Sequence, residues 1–163
     1  MTKFGNARKD AFLQELPRNE LASKDDCLTS RCKFNFHYFV PDSPGQDWGD
    51  WGVVGLSKLL RKLQMYSERS LSDWENERAG GLRLLTFYND FPLRSEFKHP
   101  QNVPHDVRWG RFRLEQKIRL VGFAVPTEKK GIEHIKTKQR FCTNTFYVVF
   151  LDREHKFYIT EKA

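Results

Sequence analysis

The chain has 163 residues and a mass of 19.4 kDa, and 39% of its residues are hydrophobic, so one domain with a substantial core is expected. Its net charge of +7 and pI of about 9.4 favour an anionic partner such as RNA, DNA or an acidic protein. The N-terminus has no apolar signal segment and no apolar run reaches 18 residues, so a cytoplasmic protein with no membrane partner is predicted.

The charge is concentrated in the second half of the chain. Residues 101–163 carry 13 Lys and Arg against 7 Asp and Glu, which leaves a net charge of about +1 for residues 1–100. Residues 1–31 are polar and weakly periodic, and we expect an N-terminal extension that docks on a partner. Residues 32–163 are expected to form a single α+β domain.

The first predicted elements are a strand and two helices. Apolar and polar residues alternate from Cys32 to Val40, which predicts a half-buried strand. Leu56, Leu59, Leu60 and Leu63 recur at helical spacing in the segment 55–67, which predicts an amphipathic helix. A shorter helix is expected over 70–77, with Ser70 and Asp73 or Ser72 and Glu75 as the N-terminal cap and Gly80-Gly81 as its end.

The C-terminal third predicts a run of strands. Leu82 to Tyr88 is predicted to form a strand, and segments 107–114 and 117–125 predict a β-hairpin. Residues 127–140 are a basic loop or broken helix, and 145–151 is apolar on both faces, as in an interior strand. The predicted fold is therefore α+β: an antiparallel, meander-type sheet of four to five strands with two helices on one face.

The hairpin places several cationic side chains on one side of the sheet. Strand periodicity puts Trp109, Arg111 and Arg113 on one face, with Lys117 and Arg119 on the same face of the next strand. If the opposite face packs on the helices, these residues form a solvent-exposed surface for phosphate and a stacked base. The alternative is that arginine simply keeps an exposed sheet face soluble.

The last apolar strand runs into the charged segment Asp152-Arg-Glu-His-Lys-Phe-Tyr158. It is either an ordinary solvated turn or a site in which His155 is held rigidly beside Arg153, Lys156 and Tyr158. A histidine next to arginines suits proton transfer during attack of a ribose 2′-hydroxyl on its own phosphate. That chemistry needs no metal or other cofactor. Cys27, Cys32 and His37 could be read as a metal site, but no fourth ligand stands at a recognisable distance in the sequence. A cysteine that is buried as a small apolar residue is the better interpretation.

Three C-terminal stretches resemble the RelE/ParE/HigB superfamily of small basic bacterial toxins. They are Arg111-Phe-Arg-Leu114, Arg119-Leu-Val121 and Asp152-Arg-Glu-His-Lys-Phe-Tyr158, where the family often ends in G-H-R-x-x-x-Y. The ending F-Y-V-V-F-L-D-x-x-H-K-x-Y also resembles a second bacterial family, which suggests no function.

The toxin resemblance implies a metal-independent endoribonuclease that acts on RNA, including ribosome-bound mRNA, and is neutralised by an acidic antitoxin or another small protein. It implies that Arg113 and Arg119 bind the phosphate, that His155 is the acid or base, and that Tyr158 stacks or orients. The alternative is a non-enzymatic module that binds nucleic acid or protein, related to phage or to defence against phage.

Overall fold

The computed structural model describes residues 6–15, 21 and 27–160, and within them three helices and seven strands. The helices are α1 (Ala7–Glu15), α2 (Gly52–Tyr66) and α3 (Leu71–Asn76). The strands are β1 (Lys33–Asn35), β2 (Arg78–Ala79), β3 (Leu82–Arg83), β4 (Leu85–Tyr88), β5 (Arg108–Arg113), β6 (Arg119–Ala124) and β7 (Thr145–Asp152).

The main sheet is mixed rather than an antiparallel meander. Its five strands lie in the order β1-β7-β6-β5-β4, and β1 pairs with β7 in parallel while every other pair is antiparallel. The predicted α+β class with four to five strands is correct at this level, but the purely antiparallel order is wrong. Alternation of apolar residues reports which face of a strand is buried and says nothing about strand direction.

The predicted strand over 32–40 is much shorter in the structure. Pairing ends at Asn35, the chain then turns with the Phe39 N–H bonded to the Phe36 carbonyl, and Phe36 is 43% exposed. Cys32 is a buried thiol, as interpreted from the sequence. It donates to the Tyr66 carbonyl, and burial raises its pKa to about 11.

The helix α2 covers one face of the sheet. Leu59, Leu63 and Tyr66 form its buried stripe, at i, i+4 and i+7, and pack into a core with α3 and the sheet. Leu60, which was expected on this stripe, is 64% exposed. No helix in the described part of the chain is both long enough and apolar enough to cross a membrane.

The short helix α3 is fixed at its N-terminus by one of the two predicted caps. Ser70 and Asp73 form a reciprocal capping box. The helix ends at Asn76, before the predicted glycines. Gly80 and Gly81 instead form the turn of the β2–β3 hairpin, where positive φ angles of 57° and 79° favour glycine.

The opposite face of the sheet is covered too. The β5–β6 hairpin forms as predicted, yet all six residues of β6 are buried. A second core packs beneath the irregular segment 89–107 and the C-terminal segment; its buried members are Phe97, Val103, Val107, Trp109, Val121, Phe123, Val149, Phe150 and Phe157. On this basic face Arg111 and Arg113 are half-buried, and Arg119 is buried.

The remaining segments are irregular. Residues 127–140 form a loop with a short 3-10 turn at 127–129 and an isolated bridge between Glu133 and Arg140. The predicted extension 1–31 contains α1, in which no residue is buried. Residues 1–5, 16–20 and 22–26 lie outside the described residues, so the expected docking role of the extension stays a prediction.

Candidate anion-binding site

The candidate site lies where β5 ends and β6 begins. Arg111 and Arg113 share the second-core face of β5, and Arg113 lies directly opposite Arg119 of β6 in the antiparallel register. Arg119 in turn lies opposite Asp152, the last residue of β7. Strand pairing therefore brings the three arginines together on one face, but the predicted solvent exposure of Arg119 is wrong because it is buried.

Arg111 lies at the centre of the site. Its Nη1 is 2.7 Å from His155 Nε2. Its guanidinium carbon is 5.8 Å from the ring centre of Tyr88 and 5.7 Å from that of Tyr158, and these two rings stack at 4.9 Å with an interplanar angle of 14°. The guanidinium is held by two aromatic rings and an imidazole, which restricts its orientation.

The turn that carries His155 is locked by Asp152. The buried Asp152 carboxylate accepts hydrogen bonds from the backbone N–H groups of Lys156 at 3.0 Å and Phe157 at 2.9 Å. His155 has a φ of 63°, a left-handed backbone conformation that residues other than glycine adopt rarely. The charged segment is thus a turn that holds its histidine in a fixed place.

The contact with Arg111 determines the protonation state of His155. A guanidinium only donates hydrogen bonds, so Nε2 must accept and the ring is neutral with its proton on Nδ1. Partial burial lowers the His155 pKa, and the nearby Arg111 and Arg119 lower it further. The histidine is consequently an uncharged base at neutral pH.

Arg119 is a buried cation with a structural role. It is 5% exposed, and its Nη1 donates to the carbonyl oxygens of Glu115, Gln116 and Ile118, which closes the β5–β6 turn. Burial, together with the charges of Arg113 and Arg111, lowers its pKa to about 10. An arginine predicted to bind phosphate therefore also supports the hairpin.

The three arginines lack acidic partners at ion-pair distance. Among the residues that the structure describes, no carboxylate lies within 4.0 Å of the Arg111, Arg113 or Arg119 guanidinium. Asp152 is close enough to favour the charged form of Arg119, but its oxygens bind backbone amides. Clustered like charges that are not neutralised raise the energy of the folded state, and an anion bound between them would remove that cost.

Four other predicted binding residues have different surroundings. Trp109 is 1% exposed within the second core, so its predicted position on a solvent face is wrong. Lys117 is exposed in the β5–β6 turn. Arg153 reaches toward α2, with its guanidinium 5.5 Å from the Trp51 ring. Lys156 is ion-paired with Glu96 at 3.3 Å and Glu154 at 2.9 Å.

Tyr88 is the residue that sequence reasoning missed. It is the last residue of β4, where it pairs with Trp109 of β5, and its ring packs against Tyr158. Its buried hydroxyl has no hydrogen-bond partner among the described residues. Burial raises its pKa, which keeps the hydroxyl protonated. The only signal in the sequence was its place at the end of an alternating segment beside the predicted hairpin.

A well-formed cleft lies elsewhere on the molecule. That cleft, of about 790 Å³, lies at the opposite end of β5, beside α3 and the loop 127–144. Within the described residues, no group of three or more His, Cys, Asp or Glu side chains is arranged to hold a metal ion.

The site is thus defined by its own geometry. It comprises three guanidiniums, a neutral histidine and two stacked tyrosines, which together suit a phosphate with an adjacent ring. No protein-family model, curated protein or solved structure matches the chain.

Proposed function

We propose that this protein acts on RNA and holds a backbone phosphate at Arg111, Arg113 and Arg119. The observation that carries the proposal is the cluster of three guanidiniums with no ion-paired carboxylate among the described residues. Arg113 supports it most directly, because its guanidinium makes no hydrogen bond or ion pair within the described part of the chain and is only partly buried. The stacked pair Tyr88 and Tyr158 supplies a ring surface for a neighbouring base.

The activity we propose at this site is toxin-like, metal-independent RNA cleavage. The neutral His155 takes the proton of a ribose 2′-hydroxyl, and the 2′-oxygen attacks the adjacent phosphorus. The bond from phosphorus to the 5′-oxygen breaks, and that oxygen takes a proton from water, while the proton held by His155 neutralises the hydroxide that is left. The products are a 2′,3′-cyclic phosphate and a 5′-hydroxyl, and the arginines stabilise the charge that develops on the phosphorane.

One contact favours the second candidate, a non-enzymatic RNA-binding module. The Arg111 guanidinium lies 2.7 Å from His155 Nε2 and donates a hydrogen bond to it. This nitrogen is the only one in the neutral ring that can accept a proton. Cleavage requires that a bound phosphate draws Arg111 away from this nitrogen. If the contact persists with RNA bound, the same surface binds without cutting.

We also propose a cytoplasmic location and an acidic protein partner. The three cysteines are unpaired, which is usual in a reducing compartment. An acidic antitoxin-like partner would complement the cluster and block access to it.

Binding is tested by titrating a fluorescently labelled single-stranded RNA at several salt concentrations. Arg111→Gln and Arg113→Gln each remove a cation from the site and are expected to weaken binding by about tenfold. Each should also reduce the slope of log affinity against log salt by roughly 0.7, the value for one neutralised phosphate on a single strand. Lys136→Gln, which removes an equal charge from the exposed loop 127–140, is the matched control. Equally weakened binding in all three variants would contradict the proposed site.

Cleavage is tested separately by mapping RNA ends after incubation with purified protein and a metal chelator. The parent protein is expected to leave 2′,3′-cyclic phosphate ends, and His155→Asn should abolish them while binding persists. The asparagine tolerates the left-handed conformation of residue 155 and preserves the turn. Intact RNA with the parent protein, despite binding, would support the non-enzymatic module. Cleavage by His155→Asn at the parental rate would exclude His155 as the base.

A further inference from the structure

The cleft beside α3 has the composition of a binding site separate from the arginine cluster. Its volume is about 790 Å³, within the range that holds drug-sized ligands. It lies beside α3 and the loop 127–144 and is lined by Arg108, the first residue of β5. Arg113, in the arginine cluster, is the last residue of the same strand and lies on its opposite face, so a ligand in the cleft does not reach that cluster.

One wall of the cleft is a rigid stack of side chains. Phe87 packs over Gly110, where even a Cβ atom would approach the Phe87 ring to 2.7 Å. The Arg108 guanidinium carbon is 4.0 Å from the centre of the Phe87 ring, and its Nη2 is 2.5 Å from Glu75 Oε1. The guanidinium is therefore fixed as a flat surface against which an aromatic ring can stack.

The other wall is cationic and partly aromatic. Lys130 and Arg140 line the cleft and have no ion pair among the described residues. Phe141 is half-buried between Arg140 and Cys142, and all three line the same cavity. Because Glu75 neutralises Arg108, the net positive charge of the cleft comes from this wall.

The thiol of Cys142, which lines the cleft, is stabilised as a thiolate mainly by local hydrogen bonds. Burial alone would raise its pKa, but hydrogen bonds from the Thr145 hydroxyl, at 3.5 Å, and from the Asn144 backbone outweigh burial. The charge of Lys33 adds to them, and the net effect is a lowered pKa. The Thr145 hydroxyl is thus a hydrogen-bond donor next to a residue that lines the cleft.

From these observations we propose that the cleft binds a small phosphorylated ligand with an aromatic ring, of the mononucleotide class. Lys130 and Arg140 hold the phosphate, and the ring lies between the Arg108 guanidinium and Phe141. This is a second ligand site, and it does not depend on RNA binding at the arginine cluster.

The three cysteines provide an internal assay for this proposal. Cys142 lines the cleft, Cys27 is exposed outside it, and Cys32 is buried. The protein is treated with N-ethylmaleimide, an uncharged reagent, and the modification of each cysteine is followed by peptide mass spectrometry. AMP at saturation is expected to slow the modification of Cys142 by roughly tenfold and to leave Cys27 unchanged. Cys32 stays unmodified as long as the protein remains folded.

Two comparisons separate the parts of the ligand. Ribose 5-phosphate and inorganic phosphate are expected to protect Cys142 only at higher concentrations than AMP, because they lack the ring. Phe141→Leu should remove most of this advantage of AMP. If inorganic phosphate protects as well as AMP, the cleft is a simple anion site and the proposed ring contact is wrong.

Variants determine which charges are responsible. Arg140→Gln and Lys130→Gln should each weaken protection by AMP about tenfold, whereas Lys136→Gln, on the same loop but outside the cleft, should not. Arg113→Gln should leave protection intact even if it abolishes RNA binding. Unchanged modification of Cys142 with AMP, or equal slowing of Cys142 and Cys27, would overturn the proposal and leave the proposed RNA function untouched.

Discussion

At the scale of single residues, the protonation of His155 makes the total charge of the arginine cluster depend on pH. Its ring nitrogen accepts from Arg111, and partial burial with two neighbouring arginines lowers its pKa below the ordinary value of 6.5. A protonated ring cannot accept that hydrogen bond and would add a fourth positive charge to the cluster. The fold therefore favours the neutral histidine.

This preference predicts a loss of stability in weak acid. Because the His155 pKa is lower in the folded protein than in the unfolded chain, the unfolded chain binds a proton at His155 more readily below about pH 6.5. The free energy of unfolding therefore falls as the pH falls. Above that pH both states are neutral and the effect is absent. His155→Asn should flatten the dependence measured by urea unfolding between about pH 5 and pH 8.

The matched control is His37→Asn, which removes an exposed histidine that is distant in sequence from the arginine cluster. It should retain the parental slope of stability against pH. An unchanged slope in His155→Asn would show that other groups cause the acid dependence.

At the scale of elements, the β6–β7 pair depends on a close approach of two backbones. The register shifts between Val121 and Gly122, which marks an irregularity in the ladder. A Cβ atom at Gly122 would lie 2.1 Å from the Tyr147 carbonyl oxygen and 2.8 Å from the Phe146 ring. Only glycine fits here without moving the neighbouring strand.

Gly122→Ala is therefore expected to destabilise the protein by about 1–3 kcal/mol, the usual cost of forcing extra atoms into a packed core. The measurement is the midpoint of chemical unfolding followed by circular dichroism. Gly49→Ala is the matched control, because a Cβ at Gly49 meets nothing within 4 Å. Equal stability of the two variants would mean that the β6–β7 pair relaxes around the new methyl group.

At the scale of the whole molecule, the sheet has a core on each face. The helices α2 and α3 cover one face, and the irregular segment 89–107 with the C-terminal segment covers the other. Trp109 belongs to the second core, where it contacts Phe91 at 4.9 Å and Phe157 at 5.8 Å between ring centres. Phe157 directly follows the charged turn, so this core also positions His155.

Trp109→Ala should cost about 3–5 kcal/mol, because it leaves a large cavity in the second core. Because that core supports the turn, the variant should also bind RNA less well than its folded fraction predicts. Val53→Ala, at a site 87% exposed, is the control and should leave thermal unfolding unchanged. A Trp109→Ala protein with parental stability would mean that the second core contributes little to folding.

Local patterns in the sequence were sufficient for the principal elements. Helical spacing predicts α2, the Ser70 and Asp73 pair predicts the start of α3, and alternation predicts the β5–β6 hairpin. These features depend on residues close together in the chain, where periodicity and capping act directly. The convergence of Arg111, Arg113 and Arg119 follows from the same hairpin.

Only the tertiary structure decided what surrounds those residues. The parallel pairing of β1, the burial of Trp109 and the contact between Arg111 and His155 join segments far apart in the chain. Alternation marks the two faces of a strand but carries no information about which distant segment covers each face. The segment 89–107, which has no regular pattern, supplies that cover and so decides which arginines stay accessible.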